Sequence, residues 1–146
     1  MNSTEPTELI FAVTGVLAST QACADHGDRE TFDVLARYYA VAAEEVRAAQ
    51  GRVIKVMGDG LLLTFPIDDP HTVINSLRSM QVKTNEVWQR FDSRCSVQVK
   101  VGTGTVIAAM LGAPGDERLD IVGMALNKLM KAPWGPFEIM PELSPV

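Results

Sequence analysis

The sequence is poor in cysteine and has no long hydrophobic run. Two cysteines, Cys23 and Cys95, occur among 146 residues, which is too few for a disulfide framework and fits a reducing, cytoplasmic setting. Apolar runs such as Leu61-Leu62-Leu63 are far shorter than the roughly 20 residues that cross a bilayer. The polar first residues lack the basic start and the apolar stretch of a signal peptide. We therefore expect no membrane contact from this segment.

Basic residues are also scarce. Lysine and arginine number 13 against 18 aspartates and glutamates, which gives a formal net charge of −5. This balance argues against a nucleic-acid-binding protein. Hydrophobic residues make up 47% of the chain and charged residues 21%, which are ordinary values for a globular domain. The length predicts a single domain over residues 1–146 with one hydrophobic core.

A zinc site is a minor alternative for the scarce cysteines and histidines. Cys23, His26, His71 and Cys95 could supply four ligands, but they are scattered along the chain. Zinc sites have paired ligand spacing, which is missing here. The sequence therefore favours ordinary buried or surface roles for these four residues.

Hydrophobic periodicity and turn residues divide the chain into alternating elements. Short apolar runs predict strands at 8–13, 52–57, 61–65, 96–101, 105–111, 119–122 and 137–140. Apolar residues at three- and four-residue steps predict helices at 28–50, 70–91 and 123–131. This order predicts an α+β fold, a two-layer sandwich in which one mostly antiparallel sheet carries the helices, as in ferredoxin-like folds.

Local signals indicate where the helices begin and end. Asp28 is the predicted N-cap of the first helix, and Gly51 is the predicted left-handed residue after it. Asp69 and Pro70 predict the start of the second helix, and residues 102–104 predict a turn. The predicted buried face of the first helix consists of Phe32, Leu35, Ala36, Tyr39, Ala42, Ala43, Val46 and Ala49.

The strongest local signal is a hairpin with a glycine–acid–glycine tip, Gly58-Asp59-Gly60. A turn aspartate is the ordinary interpretation. The alternative is a carboxylate ligand for a hard cation such as Mg²⁺, beside glycines that let a nucleotide approach the backbone. Lys55, four residues earlier, is either a solvated lysine or a donor to a ligand. Asp120 and Asn127 are open to the same two interpretations.

Two segments, in the right order, resemble class III nucleotide cyclases. Residues 51–65 resemble the signature hairpin of that family, in which a strand carries a lysine four residues before a metal-binding aspartate. Residues 97–112 are similar to its strand–turn–strand segment, and residues 118–127 to the segment that begins its catalytic helix. The resemblance runs from about Leu9 to Met140 and implies the family's palm-type fold.

The resemblance implies a binding role for each matching residue of the hairpin. Lys55 and Asp120 would read the purine as donor and acceptor, which is the adenine-type combination of the family. Gly58 and Gly60 would lie against the nucleotide. Asp59 would hold a Mg²⁺ or Mn²⁺ ion on the triphosphate of ATP.

The resemblance also implies a reaction. Asn127 would orient the ribose, and Lys131 stands at the position of a transition-state arginine. The ribose 3′ oxygen attacks the α-phosphorus of ATP, which forms cyclic AMP and releases pyrophosphate. Two metal ions serve this chemistry in the family, because one lowers the pKa of the attacking hydroxyl and both neutralise charge on the phosphates.

Several features depart from the family's pattern. The family's first strand ends in Phe-Ala-Asp and supplies the second metal ligand, whereas this chain reads Phe11-Ala12-Val13. Lys131 lacks the planar fork of arginine, and Lys100 stands where the family usually has a small residue. The chain also ends before the family's last hairpin. We therefore expect weak metal binding, with one ion at most, and low turnover.

The resemblance leaves two functions open. The first is an adenylate cyclase domain that is weak or depends on a partner, as a homodimer or as a heterodimer with another cyclase domain, because the family builds its sites between two chains. The alternative is a catalytically inactive cyclase-like module that dimerises or binds nucleotide in signal transduction. A palm domain that condenses nucleotides is a weaker third interpretation, because its acidic turn signature is absent.

Overall fold

The computed structural model of the protein describes residues 4–143. Its elements, in chain order, are β1 (Thr7–Leu17), α1 (Ser19–His26), α2 (Asp28–Ala48), β2 (Arg52–Met57), β3 (Gly60–Phe65), α3 (Pro70–Phe91), β4 (Ser96–Leu111), β5 (Arg118–Val122), α4 (Met124–Lys131) and β6 (Phe137–Ile139). The predicted strands and helices are present, and α1 is an additional helix. Within the described residues, none of the helices has the length and apolarity needed to cross a membrane.

The six strands form one sheet in the order β2-β3-β1-β4-β5, with β6 paired to β4 beside this path. Long strand β4 pairs with β1 from Ser96 to Val106 and with β5 from Ile107 to Leu111. Every pairing is antiparallel except that of β4 with β6. The predicted α+β fold with a mostly antiparallel sheet is confirmed.

Helices cover the two faces of the sheet unequally. Helices α2 and α3 pack on one face and enclose the main core with α1, which confirms the sandwich of sheet and helices. The shorter α4 lies on the opposite face, over a smaller second core. The buried residues of that second core are Phe11, Val13, Leu62, Val106, Ile121, Leu126 and Leu129.

Residues 107–122 form an arm that folds back over the α4 face. Strands β2 and β5 stand at opposite ends of the strand order. Nevertheless Ile121 of β5 belongs to the same buried cluster as Leu62 of β3, and Lys55 of β2 contacts Asp120 of β5. The arm therefore brings the far end of the sheet back to the β2–β3 hairpin.

The buried face of α2 is rotated relative to the prediction. Ala42 and Val46 are buried as predicted, but the remaining buried residues are Val34 and Tyr38, and Phe32 is 66% exposed. The prediction for Phe32 was wrong because alanines on several sides of α2 leave its apolar stripe poorly defined. Contacts of Tyr38 with the sheet decide the rotation instead.

The N-cap of α2 and the left-handed residue after it each lie one position before the predicted residue. Gly27 is the N-cap and Asp28 is the first helical residue. Gln50, not Gly51, has the left-handed backbone, with a φ of 62°. Gly51 provides space instead, because a Cβ there would lie 2.5 Å from the ring of Phe65. By contrast, Asp69 caps α3 as predicted.

Residues 102–104 continue strand β4, so the predicted turn there was wrong. Gly102 pairs with Phe11 and Gly104 with Leu9 in an unbroken register. The glycines serve packing: a Cβ on Gly104 would lie 2.4 Å from Cβ of Ala125. The missing side chain allows α4 to lie directly on the strand.

Candidate functional site

Asp59 lies at the tip of the β2–β3 hairpin. Met57 and Gly60 are the last paired residues, so Gly58 and Asp59 form a two-residue turn. The φ of Gly58 is 66°, as expected for the first central residue of a type II′ turn. The sequence predicted this turn, and its backbone geometry requires the glycine.

A buried chain of hydroxyl groups holds the backbone of this tip. The N–H of Leu61 donates to Oγ1 of Thr14 at 3.0 Å, Oγ1 lies 2.6 Å from Oη of Tyr38, and Oη donates to the carbonyl of Asp59 at 2.9 Å. Because Tyr38 has one hydroxyl proton, Thr14 must be the donor to Tyr38. Burial raises the pKa of Tyr38 and keeps the hydroxyl protonated. The chain therefore runs in one direction and fixes the tip.

Helix α1 binds the carboxylate of Asp59. Oγ of Ser19, the first residue of α1, donates to Oδ2 of Asp59 at 2.5 Å. Ala18, with a φ of 65°, turns the chain from β1 into α1. The sequence missed this helix because only Ser19 and Ala22 are buried, which leaves no apolar stripe. The N-cap is Ala18, which makes no side-chain capping bond, so the capping signal of a polar residue before the helix is also missing.

Lys55 and Asp120 form an ion pair across 65 positions of sequence. Nζ of Lys55 donates to Oδ2 of Asp120 at 2.9 Å, and the N–H of Ile121 donates to Oδ1 at 2.8 Å. The side chain of Lys55 is 45% exposed and that of Asp120 25%. An ammonium has three donors, and each carboxylate oxygen has two lone pairs. The pair therefore presents a donor and an acceptor, side by side, to a ligand.

Asn127 and Lys131 lie on the exposed side of α4. They are four residues apart, so they share one side of the helix, while Leu126 and Leu129 are buried in the second core. Within residues 4–143, neither side chain hydrogen-bonds to Lys55, Asp59 or Asp120. The structure thus joins Lys55 and Asp120 directly, whereas Asn127 and Lys131 are exposed on α4.

The donor set does not fit a pair of metal ions. Asp59 supplies one carboxylate, and Val13, where the resemblance places the second, is 3% exposed in the apolar second core. In the described part of the chain, no group of three or more His, Cys, Asp or Glu residues could hold a metal ion. A hard cation would find one carboxylate here and would take its other oxygens from a bound phosphate or water.

The same finding bears on the zinc alternative. Cys23, His26, His71 and Cys95 form no metal-binding cluster within residues 4–143. Nε2 of His26 lies 3.2 Å from a carboxylate oxygen of Asp92 instead. Cys95 is buried, and burial raises the pKa of its thiol to about 11. The structure gives no support to a zinc site.

Lys100 places a buried cation on the α4 face of the sheet. Its residue is 1% exposed, and Nζ donates to the carbonyls of Met130 at 3.1 Å and Ala132 at 2.8 Å. Nζ also lies 4.2 Å from the ring centroid of Trp134. Burial lowers the pKa of Lys100. These contacts attach the end of α4 to β4.

Solved structures of nucleotide cyclase domains have a similar fold. The adenylyl cyclase CyaB from P. aeruginosa gives a TM-score of 0.79 at 15% identity, over 88% of this chain and 72% of that one. The guanylate cyclase domain of RhGC from Catenaria anguillulae, in complex with GTP, gives 0.80 at 12% identity, over 93% and 79% of the two chains. A guanylyl cyclase gives 0.79 at 20% identity, over 90% and 71%.

No protein-family profile matches the chain, and no curated protein sequence does. The likeness therefore lies in the structure, and at these identities it establishes the fold. The chain has the palm-type fold of adenylyl and guanylyl cyclase catalytic domains, as its motifs implied.

Proposed function

We propose that this chain, which has the fold of nucleotide cyclase domains, is a nucleotide cyclase domain that binds ATP and provides the purine-reading half of a site shared with a second chain. The observation that carries this proposal is the Lys55–Asp120 pair. These two residues come from strands at opposite ends of the sheet, and the arm brings them within 2.9 Å of each other. The motif residues around them match the family in order and spacing.

The pair matches the edge of adenine. The ammonium of Lys55 would donate to the ring nitrogen N1, and the carboxylate of Asp120 would accept from the 6-amino group. Guanine presents the reverse pattern, with a donor at N1 and an acceptor at position 6. ATP is therefore the proposed ligand, and GTP the disfavoured one.

The proposed reaction joins the ribose 3′ oxygen to the α-phosphorus and expels pyrophosphate. Asn127 would orient the ribose, and Lys131 would neutralise charge on the phosphates. Asp59 would contribute its carboxylate to a Mg²⁺ or Mn²⁺ ion carried in by the phosphates. Because the chain lacks the second metal carboxylate, we expect cyclic AMP production to be weak in a homodimer. A partner with both metal carboxylates would complete one site.

Exposed apolar residues of the arm support association between two chains. Ile107 and Val122 are directly opposite each other in the β4–β5 pairing and are 36% and 54% exposed; Met124 beside them is 80% exposed. Contiguous exposed apolar surface of this kind marks interaction sites. We expect sedimentation analysis to show a dimer that Val122→Glu weakens. Val82→Glu is the matched control, since Val82 is 68% exposed on α3, and it should leave the dimer intact.

A catalytically inactive module is the second candidate. The apolar Val13 and the buried Lys100 favour it, because neither can bind a hard cation. This alternative keeps dimerisation or nucleotide binding and removes the reaction. Only an assay of the reaction separates the two.

A complementation assay tests the proposal. The chain is mixed with an adenylyl cyclase domain that has both metal aspartates but whose own purine-reading lysine has been replaced, so that it is inactive alone. We expect cyclic AMP from ATP and Mn²⁺ in the mixture, and none when this chain carries Lys55→Ala. ATP binding without product in the mixture would favour the inactive module, and absence of ATP binding would contradict the cyclase proposal.

A further inference from the structure

One row of paired residues crosses the α4 face of the sheet. Lys55 pairs with Leu62, Leu62 with Val13, and Val13 with Lys100. Residues directly opposite each other on neighbouring strands point to the same face, with Cβ atoms about 4.5–5.5 Å apart. Lys100 is therefore a direct cross-strand neighbour of Val13, the position at which the resemblance places a metal-binding aspartate.

The ammonium of Lys100 is held without a carboxylate. Among residues 4–143, the ion pairs of the structure do not include Lys100. Two carbonyls at the end of α4 accept hydrogen bonds from the ammonium. The C-terminal end of a helix carries partial negative charge. A buried charge needs such compensation. These contacts indicate that the surroundings of Nζ of Lys100 stabilise a positive charge.

The indole ring of Trp134 covers the ammonium of Lys100. A Cβ on Gly15 would lie 3.3 Å from the indole ring, so the ring rests on the bare backbone of β1. The same ring lies over the ammonium of Lys100, and the face of an aromatic ring attracts a cation. Gly15 is two residues beyond Val13, so it lies on the same face of the strand. The ammonium is thus enclosed beside the second half of β1.

We propose that the α4 face of β1 around Val13 is a cation site occupied by the chain's own Lys100, which excludes a divalent metal ion there. The chain replaces a metal carboxylate with Val13 and supplies a fixed positive charge from the neighbouring strand. This inference deepens the proposed function, on which it rests for its consequence: bound ATP would use at most one divalent ion, at Asp59. A carboxylate introduced at position 13 would pair with Lys100 rather than bind metal.

The exclusion is tested with Mn²⁺ alone, without nucleotide. The variants are Val13→Asp, Lys100→Gln and the double variant, because glutamine keeps N–H donors for the α4 carbonyls and removes the charge. We expect the Mn²⁺-dependent rise in melting temperature of Val13→Asp to equal that of the wild type. The double variant should show a larger, saturating rise. Val13→Asp combined with Lys128→Gln is the control, since it removes a lysine that pairs with Glu142 instead, and it should behave as Val13→Asp does.

Two results would overturn the inference. A larger Mn²⁺ response in Val13→Asp alone would show that Lys100 does not keep metal away. A folded double variant without any added response would show that the position cannot bind metal for another reason. Neither result depends on ATP, so the inference can fail while the proposed function stands, and absence of ATP binding would leave the metal result intact.

A measurement on the wild-type chain covers the case in which the position-13 variants do not fold. The nitrogen chemical shift of the Lys100 side chain reports whether Nζ is an ammonium or a neutral amine, and Lys100→Gln assigns the signal. We expect an ammonium at pH 7. A neutral amine at that pH would remove the cation on which the inference rests.

Discussion

Lys55 and Asp120 stand on strands at opposite ends of the sheet order, yet Nζ of Lys55 donates to Oδ2 of Asp120 at 2.9 Å. The contact exists because the arm folds back over the α4 face, where Ile121 packs into the second core. Exposed ion pairs of this kind contribute about 0.2–1 kcal/mol to stability. The pair therefore contributes little to the stability of the fold. An effect of a variant on nucleotide binding can for this reason be distinguished from its effect on stability.

Nucleotide affinity should depend on this pair far more than stability does. Loss of a hydrogen bond to a charged group costs about 1.5–3 kcal/mol, so Lys55→Ala should weaken ATP binding about tenfold or more, with each 1.4 kcal/mol equal to tenfold. The wild type should prefer ATP to GTP by a similar factor. Titration calorimetry with both nucleotides measures this, and Lys128→Ala is the control. Equal affinity for ATP and GTP would contradict the adenine assignment.

Tyr38→Phe should destabilise the protein by breaking the hydroxyl chain. The variant leaves the hydroxyl proton of Thr14 without its acceptor and the carbonyl of Asp59 without its donor, and an unsatisfied buried polar group costs about 1–3 kcal/mol. Tyr39→Phe is the matched control, because Tyr39 also donates to the tip, at the carbonyl of Gly58, but is partly exposed. Urea denaturation compares the two. If Tyr39→Phe lowers the free energy of unfolding as much as Tyr38→Phe does, the buried hydroxyl chain contributes no more to stability than the exposed hydrogen bond.

Gly104→Ala should push α4 away from the sheet. The new Cβ would lie 2.4 Å from Cβ of Ala125, and overpacking of this kind costs about 1–3 kcal/mol. The double variant Gly104→Ala with Ala125→Gly removes the clash and should recover most of the lost stability. Thermal unfolding of both variants measures the loss of stability and its recovery, with Ala125→Gly alone as control. A neutral effect of Gly104→Ala would mean that α4 is not seated on β4 as described.

Acid should weaken the ion pair between Asp92 and Arg94 in the α3–β4 connection. The guanidinium of Arg94 hydrogen-bonds both carboxylate oxygens of Asp92 and holds the pKa of that carboxyl well below its usual range. A pKa that is lower in the folded than in the unfolded state stabilises the protein above the unfolded value of about 3.9. That stability is lost as the pH falls below it.

Melting curves between pH 2 and 7 check this expectation on Asp92→Asn. At pH 7 the melting temperature of the variant should be lower than that of the wild type. The difference between the two melting temperatures should become smaller toward pH 2. Glu86→Gln is the control, since its ion pair with Arg90 lies on the exposed side of α3, and it should track the wild type throughout. A gap for Asp92→Asn that stays constant with pH would argue against the Arg94 contact.

The sequence by itself determined the positions of the strands apart from the continuity of β4, the long helix α3 and the glycine–acid–glycine hairpin. Each of these elements has a signal in its own stretch of sequence. A strand shows alternation or a short apolar run, α3 begins with the capping Asp69 before Pro70, and the hairpin contains the Gly58 that its turn requires. The pairing of Lys55 with Asp120 was predicted only through the resemblance to cyclases. Spacing alone cannot show that two residues 65 positions apart meet.

The tertiary structure alone decided the features that depend on contact between distant elements. Helix α1 has almost no apolar stripe, and its place follows from the bond between Ser19 and Asp59. The glycines of β4 suggested a turn, and only the presence of α4 shows that they make room for Ala125. Lys100 carries no sign of burial in its own neighbourhood. Its charge is tolerated there because α4 and Trp134, distant in sequence, compensate it in space.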